Sequence, residues 1–227
     1  MSIIHIPQHP DIDALSAFEG LPRERIAIPA SAAAFAAAVD EILTFPYVGF
    51  DTESKPTFKA GEVSGGPHLI QFATPHKAYL FQVVAPGCID AARAVLEAPG
   101  VVKFGFGLKS DRSRLRSKLG IELHTYIDLG KTLRYQGKKG QVGLRGAVAG
   151  VLNMRVRKSR SVATSNWANT VLSEAQQAYA ANDAYAALRV FLGLSAEQQR
   201  LLLQLASTPP QPRRAKPRHP LREDASR

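Results

Sequence analysis

Residues 47–83 read YVGFDTESKPTFKAGEVSGGPHLIQFATPHKAYLFQV, and this stretch decides the fold class. Its first run, YVGFDTES, is apolar and then ends in acids. HLIQFAT and KAYLFQV are two further β-rich runs parted by a short turn containing proline, so three successive strands are expected. The connection SKPTFKAGEVSGGP between the first two holds Pro56, Gly61, Gly65 and Gly66 and also Lys55 and Lys59. It reads as a mobile loop, and loops that leave a sheet often carry binding groups.

Outward from this core the pattern turns increasingly helical. Ser31 stands before the Ala-rich stretch AAAFAAAVDEILTF and predicts a capped helix. Downstream we expect a helix near 88–98, a strand in VVKFGFG, a helix starting around Ser110-Asp111 and a short strand in TYIDL. One or two helices then cover 129–152, SEAQQAYAANDAYAALRVFLG forms a long amphipathic helix, and another helix covers 196–206. Strands first and helices later make an α/β protein. Residues 1–30 read as a Pro- and polar-rich lead. The tail 208–227 has five prolines and almost no large apolar side chain, so disorder is expected there. One domain, 31–207, thus lies between a lead and a basic tail, in keeping with 227 residues at roughly 100–200 per domain.

Composition excludes several classes. Apolar residues make up 45% of the chain and charged ones 21%, which is neither fibrous nor wholly disordered. The single cysteine, Cys88, rules out an internal disulfide and a Cys-rich zinc cage, and reads as a small buried hydrophobe. No apolar run approaches the ~18 residues of a membrane span, and MSIIHIPQHPDID lacks a cationic region followed by an apolar one. A soluble, cytoplasmic protein with no membrane partner is expected. Gly105-x-Gly107 is not a dinucleotide fingerprint, because Ser110 stands where the third glycine belongs. The six histidines are scattered without ligand spacing.

Charge is strongly blocked. Residues 103–160 carry 15 Lys and Arg against 3 Asp and Glu, a local +12 within a chain of net +10. The block includes Lys103, Lys109, Arg112, Arg114, Arg116, Lys118, Lys158 and Arg160, and it suits a polyanion, nucleic acid above all. An anionic lipid surface would also accept this charge.

Three sets of carboxylates stand out against that background. Asp51 and Glu53, two apart on a strand, project to one face about 6–7 Å apart. Acids beside a buried run are costly unless solvated, paired or neutralised by a cation, so a hard divalent metal is a reasonable partner. Asp111 follows a strand-to-helix turn through Gly105 and Gly107, where an acid also favours the helix dipole. Tyr179 and Asp183, four apart, share one face of the long helix. Asp128, at the end of TYIDL, reads as a strand-end acid with a structural or supporting role.

The order of these pieces, with GFDTE, KFGFGLKSD, KSRSVATSNW and YAANDAYAALRVF around them, resembles the tyrosine subclass of the DEDD superfamily of 3′-to-5′ exonucleases. Its Werner-type and ribonuclease-D-type members are the most similar. The resemblance runs over about residues 45–192 and implies a ribonuclease-H-like fold, with a mixed central sheet flanked by helices. It implies two Mg²⁺ or Mn²⁺ ions held by Asp51, Glu53, Asp111 and Asp183, with Tyr179 orienting the attacking water. The activity it implies is stepwise release of nucleoside 5′-monophosphates from single-stranded 3′ ends of DNA or RNA. Lys55, Lys109, Arg112, Lys158 and Arg160 are the candidate contacts to nucleic acid, and Trp167 reads as core packing. The alternative from a different class is a catalytically silent nucleic-acid-binding module with the same fold. The choice between DNA and RNA stays open.

Overall fold

The computed structural model describes residues 3–57, 61, 65–157 and 159–206. The expected tail disorder, Lys158 and part of the loop after the first strand therefore lie outside the described residues. In chain order the elements are β1 (Ile4–Ile6), β2 (Ile26–Ala27), α1 (Ala32–Leu43), β3 (Tyr47–Glu53), β4 (Leu69–Ala73), β5 (Ala78–Gln82), α2 (Cys88–Leu96) and β6 (Val102–Gly105). Next come α3 (Lys109–Arg114), continued by a π-helical turn over Leu115–Leu119, then β7 (Tyr126–Asp128), α4 (Leu129–Thr132), β8 (Leu133–Tyr135) and α5 (Leu144–Leu152). The chain closes with α6 (Arg160–Ala163), α7 (Glu174–Gly193) and α8 (Ala196–Ala206).

Six strands form one mixed sheet in the order β2-β5-β4-β3-β6-β7. β3, β4 and β5 are an antiparallel meander, as their tight spacing in sequence allows. β6 adds parallel to β3 and β7 parallel to β6. Parallel neighbours need a crossover, which α2 supplies for the first and α3 for the second.

Alternation along the strands sorts side chains into two cores. Val48 and Phe50 of β3, Ile70 and Phe72 of β4 and Phe81 of β5 face α1 and α2 and pack with Phe35, Ile42 and Val95. Leu108 and Leu115 of α3 and its extension join this layer. On the other face, Leu69, Ala73, Ala78 and Leu80 pack under Ala180, Ala181, Ala184 and Tyr185 of α7. Further along α7, Phe191 stacks on Phe104 of β6 with ring centroids 3.9 Å apart, beside Val148 of α5.

The ends of α1 and α7 follow sequence logic. The Ser31 hydroxyl accepts the Ala34 N–H, and Ser173 and Gln176 form a reciprocal capping box at the start of α7. Residues 1–30 hold more structure than their composition predicts. β1 pairs parallel with β8, Ile4 beside Leu133, and buries Ile4 and Ile6, while β2 adds to β5. Cys88 is buried as expected, and burial pushes its thiol up to about 12. Among the described residues no helix is long and apolar enough to cross a membrane.

Lys103 corrects the reading of the basic block as a surface feature. It is fully buried, its ammonium donates to the Ala98 carbonyl at 2.9 Å, and burial pulls it down to about 7. Arg116, Lys131 and Arg145 are engaged with Glu122, Asp128 and Asp13. The positive charge turned toward solvent is thus smaller than the count suggests.

Gly49 sets the distance between α7 and β3. A Cβ at this position would collide with the Ala184 carbonyl oxygen, a backbone atom that cannot swing aside. Gly49→Ala is therefore expected to destabilise the protein by about 1–3 kcal/mol, the usual cost of overpacking. Urea unfolding checks this, and an unchanged unfolding free energy would mean that the helix does not seat on this strand through residue 49.

Candidate active site

β3 carries Asp51 and Glu53 on the same side as Gly49, the side covered by α7, at the end where β4 begins opposite at Leu69. The phase of α7 brings Tyr179 and Asp183 over them, one turn apart, and the Tyr179 hydroxyl donates a hydrogen bond to Asp183. Asp111 arrives from the opposite layer, in the first turn of α3. Gly107, at φ 70°, lets the chain reverse from β6 into that helix. Asp128 holds the turn, its two oxygens accepting the N–H groups of Gly107 at 2.9 Å and Leu108 at 3.1 Å. Thr52, between the two acids of β3 and pointing the other way, donates its hydroxyl to Asp111 Oδ1 at 2.6 Å.

The result is a concentration of negative charge in a poorly solvated place. Asp111 and Asp183 are 6% and 7% exposed, while Asp51 and Glu53 are part-buried. Asp51 is held well above the usual carboxylate range, first by burial and then by the charges of Asp183, Asp111 and Glu53. Among the described residues, what favours its anion is the Thr52 N–H, which Oδ1 accepts at 2.8 Å. Burial also raises Asp111, against the Thr52 hydrogen bond and the Arg114 charge. Burial and then the charge of Asp183 push the Tyr179 phenol upward, so it keeps its proton.

These donors fit a hard divalent cation in chemistry. All four are carboxylates, they press on one another, and among the described residues no basic side chain relieves Asp51. Among the described residues, however, no three His, Cys, Asp or Glu side chains are gathered tightly enough to hold an ion as they stand.

Residues 26–199 match the model of a 3′-5′ exonuclease family. The chain belongs to this family. It is one of the DEDD 3′-5′ exonucleases, and its mixed sheet with helices on both faces is the ribonuclease-H-like fold. Among curated proteins it is similar to the mouse bifunctional 3′-5′ exonuclease/ATP-dependent helicase WRN, 31% identical over 146 residues. That match covers 63% of this chain and 10% of the mouse protein, so the chain spans a small part of that relative's length. Among solved structures, the Aedes aegypti Nibbler EXO domain superposes with a TM-score of 0.66 at 22% identity, covering 82% of this chain and 95% of that one. The Trypanosoma brucei RNase D complex with RNA U12 gives 0.64 at 17% identity, covering 80% and 69%. These two show the fold.

All five residues that the exonuclease motifs single out, Asp51, Glu53, Asp111, Tyr179 and Asp183, come together. The basic candidates are more dispersed. Lys109 and Arg112 are exposed on the same short helix as Asp111, with the Arg112 guanidinium 4.7 Å over the Tyr126 ring. Lys55 is exposed just beyond Glu53, and its N–H donates to His68 Nδ1 at 3.1 Å. Arg160 is exposed at the start of α6, which packs on α7. Trp167 is buried, with its indole N–H on the Ala163 carbonyl and its ring 5.9 Å from that of Tyr179. A cavity of about 270 Å³ is lined by Pro67, His68, Gln82, Lys118, Trp167 and Asn169. The His68 N–H donates to the Glu53 carbonyl at 2.8 Å.

Thr52 gives no signal in the sequence, because its role depends on Asp111 lying beneath the strand. The charge arrangement has a consequence for the metal-free protein. A carboxyl raised in the folded state binds more protons there than when unfolded, so it subtracts stability as pH climbs out of the usual carboxylate range. In EDTA, Asp51→Asn is expected to raise the thermal midpoint at neutral pH, by a margin that grows as pH rises above the usual carboxylate range. A margin independent of pH would show that Asp51 is not under this electrostatic pressure.

Proposed function

We propose that this chain hydrolyses the phosphodiester bonds of a nucleic acid one at a time from a single-stranded 3′ end, releasing nucleoside 5′-monophosphates. The observation that carries the reading is the convergence of Asp183, Asp111 and Glu53 on Asp51, whose carboxyl their charges and burial hold well above the usual range. Asp51, Glu53, Asp111 and Asp183 would hold two Mg²⁺ or Mn²⁺ ions. Such ions supply charge neutralisation at the phosphoryl oxygens and activation of water. Tyr179 orients the attacking water through its hydroxyl. It is no base, since a phenol pushed upward from its usual value retains its proton. Asp183 fixes the direction of that hydroxyl by accepting its hydrogen bond. Thr52 and Asp128 act through Asp111, one by holding its carboxylate and the other by holding its turn.

The substrate class follows from charge. Four carboxylates repel a phosphate strand, so its approach depends on cations around the site: Lys55, Lys109, Arg112 and Arg160, with Lys158 of the same sequence block. The catalytic unit is residues 31–207, with β1 and β2 packed against it. DNA and RNA are both within reach of this chemistry: one relative is a 3′-5′ exonuclease joined to a helicase, and a structural neighbour holds RNA. A catalytically silent binding module of the same fold is the second reading. What favours it is that no three acids form a cage as they stand among the described residues.

Digestion of 5′-labelled single-stranded DNA and RNA with Mg²⁺, Mn²⁺ or EDTA separates the two. The expected outcome is a metal-dependent ladder shortening from the 3′ end, lost in Asp183→Ala although binding persists. Binding without any shortening would establish the silent module. Tyr179→Phe is expected to lower kcat by about 10- to 100-fold with little change in KM, the worth of one charge-assisted hydrogen bond. Steady-state kinetics checks this, and an unchanged kcat would remove Tyr179 from the reaction. Lys109→Ala combined with Arg112→Ala is expected to weaken strand binding and reduce the slope of log K against log salt by about 1–2. Fluorescence anisotropy measures the slope, and an unaltered value would place both residues off the path of the strand.

A further inference from the structure

Strand β4 holds one polar side chain in an apolar run, Leu69-Ile70-Gln71-Phe72-Ala73, and Gln71 is fully buried. Among the described residues neither Oε1 nor Nε2 has a hydrogen-bond partner. Burying an amide unpaired costs about 1–3 kcal/mol, so an apolar side chain of the same length would make the more stable strand. Packing alone therefore does not account for a glutamine at this position.

The register shows what the amide is near. Gln71 stands directly opposite Asp51 across the antiparallel β3–β4 pair, and opposite Leu80 on β5. Residues opposed in this way point to the same face with Cβ atoms about 4.5–5.5 Å apart. Leu69 and Ala73, two residues to either side, lie in the layer beneath Ala180 and Ala184, and so does Leu80. On this face Gln71 thus has Leu69, Ala73 and Leu80 beside it, with Asp51 directly opposite and Glu53 two residues along on β3.

We propose that Gln71 is a positioning residue for Asp51: its amide makes no hydrogen bond among the described residues, and it stands where its Nε2–H would donate to the Asp51 carboxylate once a cation is held there, fixing the direction in which that carboxylate presents its oxygens. An amide suits the task. It donates a hydrogen bond without bringing a positive charge, whereas a lysine or arginine would neutralise Asp51 in place of the cation. A methionine or leucine would leave the carboxylate unheld on that side. The proposal rests on the reading of Asp51 as a cation ligand.

The test uses the full chain with Gln71→Met and Gln71→Leu, which remove the amide and keep the bulk. Three quantities are measured: the thermal midpoint in EDTA, Mn²⁺ binding by calorimetry, and kcat and KM on a labelled strand. In both variants we expect a midpoint equal to or above that of the wild type. Mn²⁺ binding should weaken by about 10- to 100-fold, the usual effect of losing a group that orients a metal ligand. A lower kcat should recover in part at high Mn²⁺. A midpoint that falls in both variants would make Gln71 a packing residue and overturn the proposal. Mn²⁺ affinity at the wild-type level in both would overturn it while leaving the metal reading intact. No Mn²⁺ binding by the wild-type protein would overturn the metal reading and this proposal with it.

Discussion

Everything at the site depends on how closely α7 lies on β3. With no side chain at residue 49, the helix backbone at Ala184 descends onto the strand backbone, nearer than any Cβ would permit. Asp183 is one residue before that contact on the helix, and Asp51 is two residues beyond it on the strand. The approach that closes the core therefore also pushes two carboxylates together. The alanines at 180, 181, 184, 186 and 187 serve the same end, since larger side chains would hold the helix off the sheet.

Folding accepts an electrostatic conflict in return. Four acids meet where solvent is scarce, and the protein relieves them in part with hydrogen bonds and a nearby charge: the Thr52 N–H on Asp51, the Thr52 hydroxyl and the Arg114 charge on Asp111, the Tyr179 hydroxyl on Asp183. Thr52 is in this sense the hub of the strand, its backbone serving one acid and its side chain another on the opposite face. Such arrangements lower stability where they stand and rely on the surrounding core to hold them. Here that core is extensive. Aromatic contacts among Phe35, Phe50, Phe72 and Phe81 stiffen one layer, and Phe104, Phe191 and Tyr47 stiffen the other.

Much of this was legible before any coordinates. The β3–β4–β5 meander, the Ser31 cap, α2 and the long α7 all carry strong local signals, namely apolar runs broken by turn residues, a capping serine, and helical periodicity over many turns. The acids were legible as a set only through the resemblance to the exonuclease motifs: local spacing joins Asp51 to Glu53 and Tyr179 to Asp183, but it ties Asp111 to neither pair. β1, β2 and β8 were not. They are two or three residues long, and each exists only because a strand distant in sequence offers its edge, as Leu133 does for Ile4.

What the sequence by itself determined is thus the α/β class of fold and the order of its main elements, because local periodicity encodes both, while the five clustered residues were read from the resemblance to the exonuclease motifs. Tertiary structure decided the rest. It alone turned Lys103 from a surface charge into a buried amine, set Thr52 beneath Asp111, and laid Gln71 beside Asp51. Each of these depends on strand register and on which backbones can touch. Those are properties of pairs of segments far apart in the chain, and no window of neighbouring residues contains them.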